Sequence, residues 1–382
     1  MSNRNIIAAL QVFDPSFRIM ENNEMGSNPN AVPEFYIRGQ SGIGNLATSD
    51  ISESQLRSNP NLPLFIMDGL EISVKTLYDL DPNRVHSITL LKDASASAIY
   101  GSKASNGVVV IETVAPKAGK FHVSYMLTGS VTAPDLRSYN YMNAEEKLAT
   151  EIAAGFYSPI VYPAHIETNE GQALGGFVNM ARELGRRRAT VMSGYDTDWM
   201  AIPLRTGYNH KHTITIDGGN DFVRYGIGFG YNAEKGVMKK DFRNNLYANL
   251  RVDLRLTNLT IINRFTYTKT DNRESPYGSF SEFVKAFPYN TPYDAEGNVV
   301  KKLQIGTGMF LKNPLWEGEM TMNFNGGTSE SFTENLQVNW YVNEHLRVDA
   351  TLGLTRSIAT CVILLIRILA SFPQLLGQVA CH

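Results

Sequence analysis

The chain has 382 residues, 43% of them hydrophobic and 19% charged, enough apolar material for two or three domains or for one domain plus a membrane element. Its 35 Lys and Arg balance 37 Asp and Glu to a formal net charge of -2, which leaves no global basic field to draw nucleic acid. Composition thus excludes a disordered chain and argues against a nucleic-acid partner.

The N-terminus, "MSNRNIIAALQVFDPSFRI", lacks a basic stretch followed by a long apolar core, so no signal peptide is expected in this chain. Residues 1 to 115 read as mixed α/β, with apolar runs such as "FYIRG" (Phe35 to Gly39) and "PLFIMDG" (Pro63 to Gly69) between turn-rich stretches. In "SITLLKDASASAIYGSKASNGVVVIET", Ile88 to Leu91 is strand-like, Asp93 is placed to cap a helix, and Ala94 to Tyr100 is a helix window. Gly101 is suited to end that helix in the left-handed conformation, and Asn106-Gly107 supplies a tight turn into the β-branched run Val108 to Ile111. This unit packs on itself and requires no chemistry.

From Lys120 the period changes to two. In "LYANLRVDLRL", Leu246, Ala248, Leu250, Val252, Leu254 and Leu256 share one face, and Tyr247, Asn249, Arg251, Asp253 and Arg255 share the other. "YGIGFGY" sets Tyr225, Ile227, Phe229 and Tyr231 against three glycines, and "HLRVDATLGL" alternates in the same way. Shorter alternation occurs at Phe121 to Leu127, His212 to Ile216, Leu259 to Tyr267 with Asn263 as a blemish, and Leu336 to Val342. A soluble sandwich also alternates. Strands of about ten residues, aromatic strand ends, charged wet faces and stretches of very unequal length between strands, such as Asp271 to Lys312, favour a membrane barrel.

At this point the residues carry a resemblance. Ile-Arg-Gly at Ile37 to Gly39, Asp68-Gly69, the Asp-Pro-Asn turn at Asp81 to Asn83, Leu-Lys-Asp-Ala at Leu91 to Ala94, Ile-Tyr-Gly at Ile99 to Gly101 and Asn106-Gly107 resemble the plug signature of the SusC/RagA family of TonB-dependent outer-membrane transporters. "MNAEE" (Met142 to Glu146), "TDW" (Thr197 to Trp199) and Thr215 to Met238 are similar to that family's first barrel region. The resemblance implies an α/β plug domain over residues 1-115, followed over 120-356 by antiparallel β-strands of an incomplete transmembrane β-barrel. It implies import of oligosaccharides or peptides, a SusD-like surface lipoprotein as lid, the TonB complex as energy source, and contact with outer-membrane lipid. Arg38, Asp68, Lys92 and Asp93 are the charges expected to bond to plug backbone or barrel wall. Gly39, Gly69, Tyr100, Gly101, Asn106 and Gly107 complete the structural signature.

Enzyme readings fare poorly. "SGIGN" lacks the G-x-G-x-x-G spacing, and no G-x-S-x-G or H-E-x-x-H occurs. "DAEGN" (Asp294 to Asn298) falls short of a calcium loop. His210 and His212 share a strand face and could hold a metal, but with no third ligand spaced nearby a structural or lumen-facing role is favoured, so no cofactor or metal is expected. "RRR" (Arg186 to Arg188) reads as a solvated loop.

Several features depart from the family. No segment for TonB contact is recognised ahead of the plug, and roughly eight strands follow it where such transporters close with about 22. From these, transport by this chain alone is not expected. Residues 357-382 abandon alternation for an apolar run that holds both cysteines, Cys361 and Cys381, so a reading frame shifted near Arg356 is favoured over a buried helix. That run, Ile358 to Phe372, carries Arg367, which argues against a membrane helix. Two rivals stay open: a siderophore-type receptor, and a soluble α/β domain joined to a β-sandwich.

Overall fold

The computed structural model describes residues 62–92, 98–157, 170–306, 309–321 and 324–364, with the short pieces 10, 17–19, 28–30, 35–37 and 379–380. Phe17–Ile19 (β1) and Phe35–Ile37 (β2) pair antiparallel. Arg38, Gly39 and Asp93 lie outside the described residues.

The N-terminal domain is built on a four-stranded sheet of Leu64–Met67 (β3), Leu70–Glu71 (β4), Val85–Leu91 (β5) and Val108–Thr113 (β6), in the order β4-β3-β6-β5. β6 is central and reads "VVVIET", an almost unbroken apolar run. Val108, Val109 and Ile111 are each fully buried, as a strand covered on both faces requires. β3 runs parallel to β6 and β5 antiparallel to it. Between β4 and β5 lies the helix Val74–Asp79, whose Ser73 hydroxyl accepts from the Thr76 N–H. Its Val74 and Leu77 join Leu10, Phe65, Leu80, Val109 and Ile111 in one apolar core, and Ile66, Ala104 and Val108 form a second.

Of the expected helix over Ala94 to Tyr100, residues 94–97 lie outside the described residues, and its end is corrected. Ala98–Tyr100 and Ser102–Ala104 are two 3₁₀ turns, and Gly101 between them has φ +73°. The left-handed glycine reverses the chain so that Tyr100 packs on the Ile66/Ala104/Val108 core while Ile99 stays exposed.

The rest is a wall of long antiparallel strands: Gly119–Thr132 (β7), Gly207–Gly219 (β8), Val223–Glu234 (β9), Phe242–Arg255 (β10) and Leu259–Arg273 (β11). Lys302–Gly306 (β12) and Met309–Lys312 (β13) form a separate hairpin before the wall resumes with Phe324–Asn343 (β14), Leu346–Leu364 (β15) and the two-residue Val379–Ala380 (β16). The sheet order is β16-β15-β14-β11-β10-β9-β8-β7, so among the described residues the wall does not close. β15 continues its ladder with β14 past Arg356 as far as Leu364.

One end of the wall carries the short links β8–β9, β10–β11 and β14–β15. The other carries the stretches 133–206, 235–241 and 274–323, the asymmetry of an outer-membrane barrel. The two longest are folded rather than loose. Helices Ala144–Ala153, Glu170–Met192, Phe280–Val284 and Pro314–Met320 and the β12–β13 hairpin surround a core of Trp199, Tyr277, Phe283, Ala286, Leu303 and Leu315.

Candidate functional site: the plug-to-wall interface

The polarity of the wall is the reverse of that of a soluble sandwich. On β10 the polar row is the covered one: Arg243 and Asn245 are each 4% exposed, Tyr247 4% and Asp253 0%. Apolar residues face away from the N-terminal domain, with Leu250 39% and, across the sheet, Phe229 47%, Phe265 36%, Leu352 69% and Leu354 70% exposed. Water does not favour that arrangement; lipid does. Along β11 the outward row from Leu259 to Tyr267 spans about 27 Å at ~3.4 Å per residue. Trp340 sits beside Leu259 at its lower end, and the Phe332 ring lies tilted 4.8 Å from that of Tyr267 at its upper end. At a barrel tilt of about 40° the row covers roughly 21 Å of bilayer, close to the band of such proteins.

Two neighbouring plug carboxylates meet this polar row. Asp81, 2% exposed, lies 2.6 Å from Lys211 Nζ. It accepts from Thr213 Oγ1 at 3.0 Å and Tyr247 O–H at 2.7 Å, and its Oδ1 caps the 3₁₀ turn Pro82–Arg84 through the Asn83 N–H at 3.0 Å. Burial pushes this carboxyl up, but Lys211, the Asn83 N–H and Tyr247 outweigh it and hold it below the ordinary carboxylate value. Asp79, the last residue of helix Val74–Asp79, takes a bidentate grip from Arg243, with Nε–Oδ1 3.0 Å and a terminal nitrogen 2.7 Å from Oδ2. Thr270 adds its hydroxyl to Asp79 at 3.3 Å, and Arg243 lies 5.5 Å over the Tyr78 ring.

The glycines of "YGIGFGY" make room for these contacts. Gly226, Gly228 and Gly230 are on the inward face, and a Cβ at Gly230 would stand 2.2 Å from Tyr247 Cε1. Tyr247 therefore lies flat over Gly230, which is how its hydroxyl reaches Asp81.

Asp68 serves two elements. With φ +51° and Gly69 at φ +88°, Asp68-Gly69 is the two-residue turn of the β3–β4 hairpin, of the kind that needs both residues left-handed. Its carboxylate accepts from the Thr113 N–H at 3.1 Å and Thr113 O–H at 2.7 Å, with Arg264 of the wall 3.6 Å away. Asn335 of β14 donates to the Asp68 carbonyl at 2.8 Å. Gly107, φ +94°, follows Asn106 in a turn closed by Gly107 N–H to Ala104 carbonyl at 3.0 Å, and its own carbonyl accepts from Leu64 N–H. Lys92 is half-buried at the end of β5. The structure thus brings Asp68 to the wall, keeps Tyr100, Gly101, Asn106 and Gly107 inside the plug, and leaves the fit to Asp79 and Asp81. Sequence reasoning assigned those two no docking role, although "LYDLDPNR" places them two apart beside a helix end.

Two expectations are overturned. Arg187 of "RRR" is not solvated: it is 1% exposed in helix Glu170–Met192, bonded to Glu183 at 2.9 Å, Glu151 at 2.8 Å and Tyr157 O–H at 2.6 Å, with the Tyr289 ring 4.8 Å away. Burial pushes the Tyr157 and Tyr289 phenols up, whereas burial acting against Arg187 is outweighed by those phenols and carboxylates, which hold the guanidinium charged. The helix Ala144–Ala153 supplies Glu151, and it starts with a capping box between Asn143 and Glu146. Asp196 accepts from the Ala144 N–H, and Trp199 donates to the Phe287 carbonyl at 2.9 Å. "MNAEE" and "TDW" therefore belong to one folded cap. The second correction is to the lumen-facing half of the expectation for His210 and His212. Lys211 and Thr213 point inward to Asp81, so the two imidazoles point outward with exposed Tyr208 and Ile214 rather than into a lumen.

Comparison with known proteins agrees with this geometry. Residues 1–108 match the family described as TonB-dependent Receptor Plug Domain. The plug match and the open antiparallel wall make this chain similar to a fragment of a SusC/RagA-like TonB-dependent receptor. The chain is 30% identical over 188 residues to TonB-dependent receptor SusC of Bacteroides thetaiotaomicron, covering 47% of this chain and 16% of that protein. It is 26% identical over 294 residues to TonB-dependent receptor P26 of Formosa agariphila, covering 74% and 26%. In fold it is similar to the RagAB peptide importer in the open-open state, with TM-score 0.69 and 20% identity over 94% of this chain and 39% of that one. It thus spans well under half the length of these relatives.

Proposed function

We propose that this chain is the plug-bearing part of an outer-membrane nutrient importer for oligosaccharides or peptides, covered by a SusD-like surface lipoprotein and driven by TonB. The observation that carries this reading is the inverted wall: its charged face holds a plug through Asp79 and Asp81 while its apolar face is left to lipid. A sheet with that polarity is a barrel segment around a stopper, and a stopper is needed only where passage is controlled. The peptide importer among the structural neighbours supports import and the peptide alternative; oligosaccharides are argued from the SusC/RagA resemblance alone. Because the described wall is open at β7 and β16, the chain by itself is expected to enclose no lumen.

The test is genetic. In a strain lacking a SusC-type transporter, the chain alone should restore no growth on the transporter's oligosaccharide. Residues 1–356 grafted onto the remaining barrel of that transporter should restore growth that depends on TonB. Growth with the chain alone, or a well-exported graft that grows without TonB, would contradict the proposal.

A further inference from the structure

The plug interface leaves one group of chemistry-bearing side chains unused, on the outward face of the wall. His210 and His212 are two apart on β8, with ring centroids 5.3 Å apart and planes at 74°. Tyr125 of β7 places its hydroxyl 2.8 Å from His212 Nδ1 and stacks its ring 6.1 Å away. Tyr231 of β9 is opposite His212 in register and lies 6.0 Å from the His210 ring. Directly across the ladder His210 faces Gly129 and Ala233, so its large neighbours are the His212 and Tyr231 rings. The group is near the β8 end that carries the long stretches, above the Ile214–Phe229 row, where a barrel of this kind meets water. Among the described residues the phenols of Tyr125, Tyr208 and Tyr231 border this patch, and Lys211 is turned inward to Asp81.

We propose that His210 and His212 form an open surface site for a divalent transition-metal ion, Zn²⁺ or Cu²⁺, bound through one nitrogen of each imidazole. Alternate residues of a strand share a face about 7 Å apart, and these two rings lean together to 5.3 Å, within reach of one ion at roughly 2.0–2.1 Å from each nitrogen. The Tyr125 hydroxyl on Nδ1 orients the His212 ring and leaves Nε2 as the ligand, as outer partners of metal-bound histidines do. A pair of imidazoles selects Zn²⁺ or Cu²⁺ over Mg²⁺ or Ca²⁺. Two protein ligands leave positions for water or for a donor from another molecule. The sequence argued against a metal because no third ligand is spaced nearby. Register adds what spacing could not: an orienting hydroxyl from the neighbouring strand and small partners, Gly129 and Ala233, directly across from His210.

The test uses the full chain in detergent micelles with Cys361→Ser and Cys381→Ser, so that thiols do not compete. Titration with Zn²⁺ should show a site that weakens at least about tenfold in His210→Ala and in His212→Ala, and roughly 10- to 100-fold in Tyr125→Phe. Paramagnetic resonance with one equivalent of Cu²⁺ should show two coupled imidazole nitrogens in the parent protein and one in either single variant. A parent spectrum without two coupled nitrogens overturns the proposal whatever the variants do. So does a double variant, His210→Ala with His212→Ala, that binds Zn²⁺ as tightly as the parent.

Discussion

Asp81 and Asp241 show how two buried carboxylates of one chain answer pH in opposite senses. Asp81 is held below its ordinary value by Lys211, the Asn83 N–H and Tyr247, so its contribution is complete above about pH 4, the unfolded value, and is lost as pH falls further. Asp241, in the β9–β10 link, is pushed up to about 6 by burial, its Oδ2 without a hydrogen-bond partner among the described residues while Arg205 holds Oδ1 at 3.0 Å. Its folded value lies above its unfolded one, so the stability it confers is present below about pH 4 and is lost as pH rises to about 6. Comparing stability at pH 5 and pH 7, Asp241→Asn should remove the gain the parent shows at pH 5, of the order of 2 kcal/mol or less. An unchanged pH slope would mean that Asp241 is not buried as described. Tyr247→Phe should weaken plug docking by about 1.5–3 kcal/mol, since it strips a hydrogen bond from a buried charge. Gly230→Ala should cost at least as much, because its methyl displaces the Tyr247 ring. Both are read as earlier release of the plug in denaturant, with wall unfolding unmoved.

At the scale of elements, the long strands were legible and the parts between them were not. Strict alternation in "LYANLRVDLRL" fixes which residues share a face whatever the tertiary context, because a strand's period is two. It does not say which face is inside, and that is settled by the plug covering the polar row. The asymmetry of links was readable from length alone. The cap was not: "RRR" reads as solvated until Glu151, Glu183, Tyr157 and Tyr289 from three separate stretches converge on Arg187, and no local pattern announces such a meeting. The end of the expected plug helix was misread because alanine-rich composition is a weak prior: Ala98–Tyr100 is a 3₁₀ turn, stopped by left-handed Gly101 as expected. Arg187→Ala should destabilise the cap by about 3 kcal/mol by removing the buried cation shared by Glu151 and Glu183, which keep only Lys147, Arg186 and the two phenols. Protease should then cut within 133–206 while the plug remains intact. Equal protection of parent and variant would contradict the pinning role.

For the molecule as a whole, the plug's two cores draw only on residues between Leu10 and Ile111, so residues 1–115 should fold alone as a soluble, cooperatively unfolding domain. The wall carries outward apolar rows and, among the described residues, two unpaired edges, and the full chain should stay dispersed only with detergent or lipid. The orientation of the wall underlies both expectations, and nitroxide labels placed singly at 246–255 on β10 test it most directly. In lipid, with Cys361 and Cys381 replaced by serine, labels at 246, 248, 250, 252 and 254 should be relaxed strongly by oxygen, which concentrates in hydrocarbon. Labels at 247, 249, 251, 253 and 255 should be shielded from it by the docked plug. The opposite phase, with the Leu246, Leu250 and Leu254 positions shielded and their neighbours accessible to a water-soluble relaxer, would mean a soluble sandwich whose apolar face is its core.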